Sequence, residues 1–167
     1  MTLFVFAFIV ILADQALKYA VFAFIENPTV VWSFLRLVHV TNRGVAFGIG
    51  KDIESGTLGK CFFVFISVAV VAAILTLFGR YCKTRPWARV SLGFIVGGAV
   101  SNLVDRLMFG HVRDFIDFSF WPAFNPADLA ICVGVVVLVA GMFKEERAKK
   151  SSLAAAPPVN PPREGGS

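Results

Sequence analysis

The chain has 167 residues, of which 57% are hydrophobic and 16% are charged, and its mean hydropathy is +0.74. That hydropathy is typical of an integral membrane protein, and the length excludes a separate soluble enzyme domain beside a few membrane spans. The net charge of +5 would suit a nucleic-acid-binding protein, but the basic residues lie beside apolar segments, where they favour membrane orientation instead. The three cysteines form no CxxC pair, so neither a disulfide scaffold nor a metal site is predicted.

Four apolar segments are long enough to cross a bilayer, which takes about 20 helical residues. The first is predicted to be a retained span rather than a signal peptide, because Asp14 and Lys18 interrupt it and it lacks a basic leading region. The proline-rich end of the chain is typical of disorder. We predict helices at about residues 2–24, 61–79, 88–106 and 127–143 in one membrane domain (1–147), followed by a disordered cytoplasmic tail (148–167).

The loop between the first two spans has a composition typical of strands. β-branched and aromatic residues dominate from Thr29 to Thr41. Asn42-Arg43-Gly44 then supplies a turn, and residues 45–50 favour a second strand. The predicted fold class is an all-α membrane protein, a four-transmembrane-helix bundle with a small extracytoplasmic β-cradle between helices 1 and 2.

The short loops indicate the orientation of the bundle. Residues 80–89 contain four basic residues, and residues 144–150 contain four more. Short loops rich in Lys and Arg are retained in the cytoplasm. With four spans, both termini are then predicted to be cytoplasmic. The loops at 26–60 and 107–126 then face outward.

Charged residues within the spans are the first candidates for function. Asp14 and Lys18 are four residues apart and therefore share one helix face. A neutralised pair that orients the first helix is favoured over a direct catalytic role. At the outer end of the third span, Asn102 shares a face with Asp105 and with Arg106, and Arg106 either clamps Asp105 or binds a substrate group.

Asp114 and Asp128 each adjoin a long apolar segment. A buried charge at such a position costs roughly 2.5–3.5 kcal/mol on insertion scales, so a chain that keeps it is expected to use it. From spacing alone, a structural interpretation is as good as a functional one: Asp114 would be a solvated loop acid and Asp128 a first-turn acid favoured by the helix dipole.

Five motifs occur in this order along the chain: Asp14-Gln15-Ala16-Leu17-Lys18, Asn42-Arg43-Gly44-Val45-Ala46-Phe47-Gly48, Gly97-Gly98-Ala99-Val100-Ser101-Asn102-Leu103-Val104-Asp105-Arg106, Val112-Arg113-Asp114-Phe115 and Phe124-Asn125-Pro126-Ala127-Asp128. Together they resemble lipoprotein signal peptidase, the bacterial signal peptidase II family of four-span aspartyl peptidases. The resemblance covers roughly residues 3–143.

The resemblance implies that Asp114 and Asp128 are the catalytic dyad. It implies that the pocket is lined by Asn42, Asn102, Arg106 and Asn125 and shaped by Asp14, Lys18 and Asp105. The substrates it implies are prolipoproteins with a diacylglyceryl-modified cysteine, cut just before that cysteine by a monomer in the bacterial inner membrane. No cofactor, metal or nucleic acid is expected.

Two other classes of protein compete with this interpretation. A small proton-coupled transporter would also keep acids and arginine in its spans, but its polar groups would be distributed through the bilayer. A noncatalytic assembly subunit would tolerate Asp114→Asn, whereas a peptidase of this kind would lose cleavage.

Overall fold

A computed structural model describes residues 1–42 and 57–154. Within these residues, four helices are long and apolar enough to cross a membrane, as predicted. The second, third and fourth extend past their predicted ends. The helices are α1 (Thr2–Phe24), α2 (Thr57–Cys82), α3 (Pro86–Phe109) and α4 (Pro126–Ala154).

The extension of α4 corrects one boundary. Residues 148–154, predicted to be disordered, are helical. The residues after Phe143 are mostly good helix formers, and Glu146 pairs with Lys150 one turn later at 2.7 Å. Residues 155–167, the rest of the predicted tail, lie outside the described residues.

The third helix is the centre of the bundle, and its glycines explain why. A Cβ added at Gly93 would lie 2.8 Å from the Leu3 carbonyl oxygen, and one at Gly97 would lie 2.7 Å from that of Ala7. Gly98 faces Ala127 on the other side. Small residues therefore let α1 and α4 approach the backbone of α3 closely.

A four-stranded antiparallel sheet caps one end of the bundle. Its strands follow the order β1 (Thr29–Trp32), β2 (Leu35–Asn42), β3 (Val112–Phe118) and β4 (Trp121–Phe124). Strands within 29–41 were predicted, and β1 and β2 are there. The turn at 42–44 and the strand at 45–50 fall outside the described residues, apart from Asn42.

The sheet includes the predicted cradle between the first two spans and extends beyond it. Its other half, β3 and β4, comes from the loop between α3 and α4. That loop is rich in charge, and Asp is rare in strands, so it does not resemble a strand in sequence. An ion pair stabilises an aspartate within this strand. Asp117 lies opposite Arg36, and their side chains are 2.6 Å apart.

Two helix ends bring the sheet and the bundle together. Gly110 ends α3 with a φ of 79°, a left-handed conformation that suits glycine, and β3 begins two residues later. At the other side, β4 ends at Phe124 and α4 begins at Pro126. Both Asp114 and Asp128 therefore lie at the boundary between sheet and helices.

Candidate active site

Asp114 lies on β3 and is almost completely buried. Its two carboxylate oxygens accept hydrogen bonds from two amides: Asn42 Nδ2 at 2.9 Å and Asn125 Nδ2 at 2.6 Å. Burial and, to a smaller degree, the nearby negative charge of Asp128 raise the pKa of Asp114 from its ordinary value of 3.8 to about 6, against the lowering effect of the two amides. A carboxyl group of this kind can hold a proton close to neutral pH.

Asp128 lies in the first turn of α4, where a negative charge is favoured. Its backbone N–H donates to Asn125 Oδ1 at 3.0 Å, and its carboxylate accepts from the Asn125 backbone N–H at 3.3 Å. This reciprocal arrangement is a capping box, with Pro126 at the first helical position. The other carboxylate oxygen accepts from Asn102 Nδ2 at 2.8 Å.

Asn125 joins the two acids. Its side-chain amide donates to Asp114 and to Asn102 Oδ1, while its own Oδ1 accepts from the backbone of Asp128. The structure thus places both carboxylates around one fully buried asparagine. Asp114 and Asp128 are therefore partners of the same asparagine.

Lys18 lies behind this pair and is fully buried. Its ammonium group lies 2.7 Å from Asp14 and 3.0 Å from Asp105, and it donates to Asn102 Oδ1 at 3.1 Å. The predicted pair of Asp14 and Lys18 is therefore present. The contact with Asn102 also fixes its amide, because Oδ1 accepts from Lys18 and Nδ2 must then donate to Asp128.

Asp14 connects α1 to the start of α4. One carboxylate oxygen accepts from the Ala127 backbone N–H at 2.9 Å, and the other accepts from the Ser101 hydroxyl at 2.6 Å. Both contacts are buried, so they tie three helices together beside the acids. A supporting role, rather than a role in proton transfer, fits an acid whose oxygens are fully engaged.

Arg106 differs from the other predicted residues. Its guanidinium group donates to Ser67 on α2 at 3.3 Å, and Asp105 pairs with Lys18 and Arg113 instead. Of the two alternatives for Arg106, the clamp with Asp105 is therefore not present among the described residues. Within the described part of the chain, the buried Nε of Arg106 has no hydrogen-bond partner.

Two further residues hold the site, and the sequence analysis did not select them. Arg113 donates to Asp105 from its backbone N–H at 2.9 Å and from its side chain at 2.8 Å. Gln15 bridges Arg113, Ser101 and Asp105. Each adjoins a selected acid in the motifs, which is the one signal that could have found them.

Comparisons with known proteins identify the family of the chain. A family model described as signal peptidase (SPase) II matches residues 6–144. The chain belongs to the signal peptidase II family. It is therefore a protease with helices that cross a bacterial membrane.

Members of the signal peptidase II family resemble the chain over most of its length. The lipoprotein signal peptidase of Moorella thermoacetica is 42% identical over 137 residues, which cover 79% of this chain and 86% of that protein. The lipoprotein signal peptidase of Thermodesulfovibrio yellowstonii is 39% identical over 138 residues, covering 79% and 88%. A solved bacterial membrane enzyme superposes with a TM-score of 0.75 at 27% identity, covering 89% of this chain and 91% of that one.

Proposed function

We propose that this protein is an aspartyl endopeptidase that removes signal peptides from diacylglyceryl-modified prolipoproteins and cuts just before the lipid-bearing cysteine. Membership of the signal peptidase II family supports prolipoproteins as substrates. The observation that carries the aspartyl mechanism is the pair of carboxylates, Asp114 and Asp128, held around Asn125. A signal peptide is itself a membrane helix, so its scissile bond can reach a site at the end of a bundle.

Asp128 acts as the base in this mechanism. It accepts hydrogen bonds from Asn102 and from the Asn125 backbone at a helix N-terminus, and all of these favour the ionised form. It takes a proton from a water molecule as the water oxygen attacks the carbonyl carbon of the scissile bond.

Asp114 acts as the acid. Its pKa of about 6 lets it enter the reaction protonated and donate to the carbonyl oxygen, which gives a neutral tetrahedral intermediate. The intermediate collapses when Asp128 passes its proton to the leaving nitrogen and the hydroxyl returns a proton to Asp114. Both acids are then restored, and the apparent pKa values of the reaction belong to the pair.

Arg106 is proposed to hydrogen-bond a carbonyl of the substrate or the modified cysteine. Its Nε has no partner among residues 1–42 and 57–154, and its side chain reaches Ser67 on α2. Both observations support this role, because a buried guanidinium donor normally has an acceptor. Arg106→Ala should weaken substrate binding, turnover or both. If both stayed intact, this role would be excluded.

The proposed location is the bacterial cytoplasmic membrane, with a monomer whose two termini are cytoplasmic and whose site lies near the outer leaflet. The support is the distribution of charge: residues 80–89 and 144–150 carry eight basic residues against two acidic ones. They lie at the ends of α2 and α4 remote from the carboxylate pair, which is consistent with a site at the opposite membrane surface.

A gel-shift cleavage assay on a diacylglyceryl prolipoprotein tests the mechanism. Asp114→Asn and Asp128→Asn should each abolish cleavage while the protein stays folded. Asp117→Asn is the matched control, because it makes the same change on the same strand outside the site and should retain activity. Full activity in either of the first two variants would remove that acid from the mechanism, and a transporter would show no cleavage in any of them.

A further inference from the structure

The end of the bundle remote from the carboxylate pair contains a groove that the proposed reaction does not use. It is a cavity of about 660 Å³ between α2 and α4. Both helices pack against α3, which leaves a gap between them. The walls are apolar, formed by Phe78 of α2 and by Val139, Met142 and Phe143 of α4.

The mouth of the groove holds a fixed cluster of polar side chains. Arg85 and Glu145 form an ion pair at 2.6 Å, and the Tyr81 hydroxyl donates to Glu145 at 2.7 Å. The guanidinium of Arg85 also lies 4.0 Å from the centre of the Tyr81 ring. Glu145 is thus neutralised, while the orientation of Arg85 is fixed.

The remaining charge at this end is positive. Of the two acidic residues in 80–89 and 144–150, Glu145 pairs with Arg85 and Glu146 pairs with Lys150. Glu146 and Lys149 also line the groove, and within the described residues Lys149 forms no ion pair. A ligand of this groove should therefore be negative at its head and apolar along its length.

We propose that the groove binds an anionic phospholipid, with an acyl chain against Phe78 and Val139 and its phosphate near Arg85 and Lys149. Basic pockets between membrane helices at the cytoplasmic side bind acidic lipid headgroups in this way. The signal peptide of the substrate fits less well, because its leading region is basic and would meet a positive end.

Native mass spectrometry of the full chain, released from detergent with equal amounts of phosphatidylglycerol and phosphatidylcholine, tests this site. The wild type should retain phosphatidylglycerol preferentially. Each cation near a membrane surface contributes about fivefold to such binding, so Lys149→Gln should lower retention by about that factor. Lys83→Gln is the matched control, because Lys83 has the same charge at the same end but does not line the groove.

Two more variants separate the effect of the groove's shape on lipid retention from the effect of its charge. Val139→Trp fills the groove without changing any charge and should lose lipid retention. Arg85→Gln with Glu145→Gln removes both members of the ion pair, so neither charge is left alone, and should also weaken retention. Unchanged cleavage of prolipoprotein in Lys149→Gln would show that the protein is folded and would leave the proposed peptidase function standing whatever the lipid result.

Several outcomes would overturn the proposal. Equal retention of the two lipids by the wild type would do so, as would an equal loss in Lys83→Gln and Lys149→Gln. Competition by glycerol 3-phosphate as strong as by the whole lipid would show that no acyl chain is bound. Slower cleavage in Val139→Trp with unchanged lipid retention would assign the groove to the signal peptide.

Discussion

Replacing Asp114 with Asn should inactivate the enzyme and stabilise it at neutral pH. The pKa of Asp114 rises from 3.8 to about 6 on folding, which corresponds to about 3 kcal/mol that ionised Asp114 costs the folded state. Because the folded-state pKa is the higher one, this cost is fully present above pH 6 and disappears below about pH 3.8. An asparagine at this position carries no charge, so the folded variant does not have this energetic cost at any pH.

The substitution also has a cost that does not depend on pH. Two amides donate to the carboxylate of Asp114, and an asparagine there has only one acceptor oxygen. The lost hydrogen bond costs about 1–2 kcal/mol. The variant should therefore be about 1–2 kcal/mol more stable than the wild type at pH 7.5.

The pKa is tested more directly by comparing, at two pH values, the difference in free energy of unfolding between the variant and the wild type. At pH 4.5 the cost of the wild-type carboxylate falls to about 1 kcal/mol, so the advantage of Asp114→Asn should shrink by about 2 kcal/mol relative to pH 7.5. Free energies of unfolding in a mild detergent at both pH values, beside the cleavage assay, check this. A difference in stability that is the same at both values, or that grows towards acid, would refute the pKa reasoning.

Three further predictions address the surroundings of the acids. Asn42→Ala removes a hydrogen bond to ionised Asp114, which raises its pKa, so the alkaline limb of the kcat/KM profile should move up by about one pH unit; a downward movement would contradict this. Lys18→Met removes the ammonium group shared by two buried carboxylates and should lower the free energy of unfolding by about 3–5 kcal/mol, measured by denaturation in detergent. Gly97→Val should prevent packing against α1 and reduce the monodisperse fraction in size-exclusion chromatography, whereas Gly79→Ala, in open space, should not.

The helices could be predicted because hydropathy alone requires them. An apolar segment of about 20 residues in a bilayer must satisfy its backbone internally, so all four spans were found. The predicted positions of the helix ends were less accurate, because polar residues can continue a helix when they form ion pairs along it, as Glu146 and Lys150 do. Half of the sheet was missed because Arg113, Asp114 and Asp117 resemble a loop until their partners are known.

The candidate site could be predicted only where a motif or a spacing marked it. The pairing of Asp14 with Lys18 follows from helix geometry and is present. Gln15 and Arg113 meet across 98 positions in the chain, and nothing local encodes that contact. The contact of Arg106 with Ser67 could not be predicted for the same reason, because Ser67 belongs to another helix and no spacing relates the two.

The capping box of α4 has a consequence for how this enzyme could lose activity. The turn that starts the helix and the arrangement of the two acids depend on the same hydrogen bonds of Asn125. Fraying of that single turn would separate Asp114 from Asp128, even if the remaining helix stayed wound. Slow hydrogen exchange at the Asp128 amide should therefore accompany activity, and a variant whose first turn melts should be inactive long before the bundle unfolds.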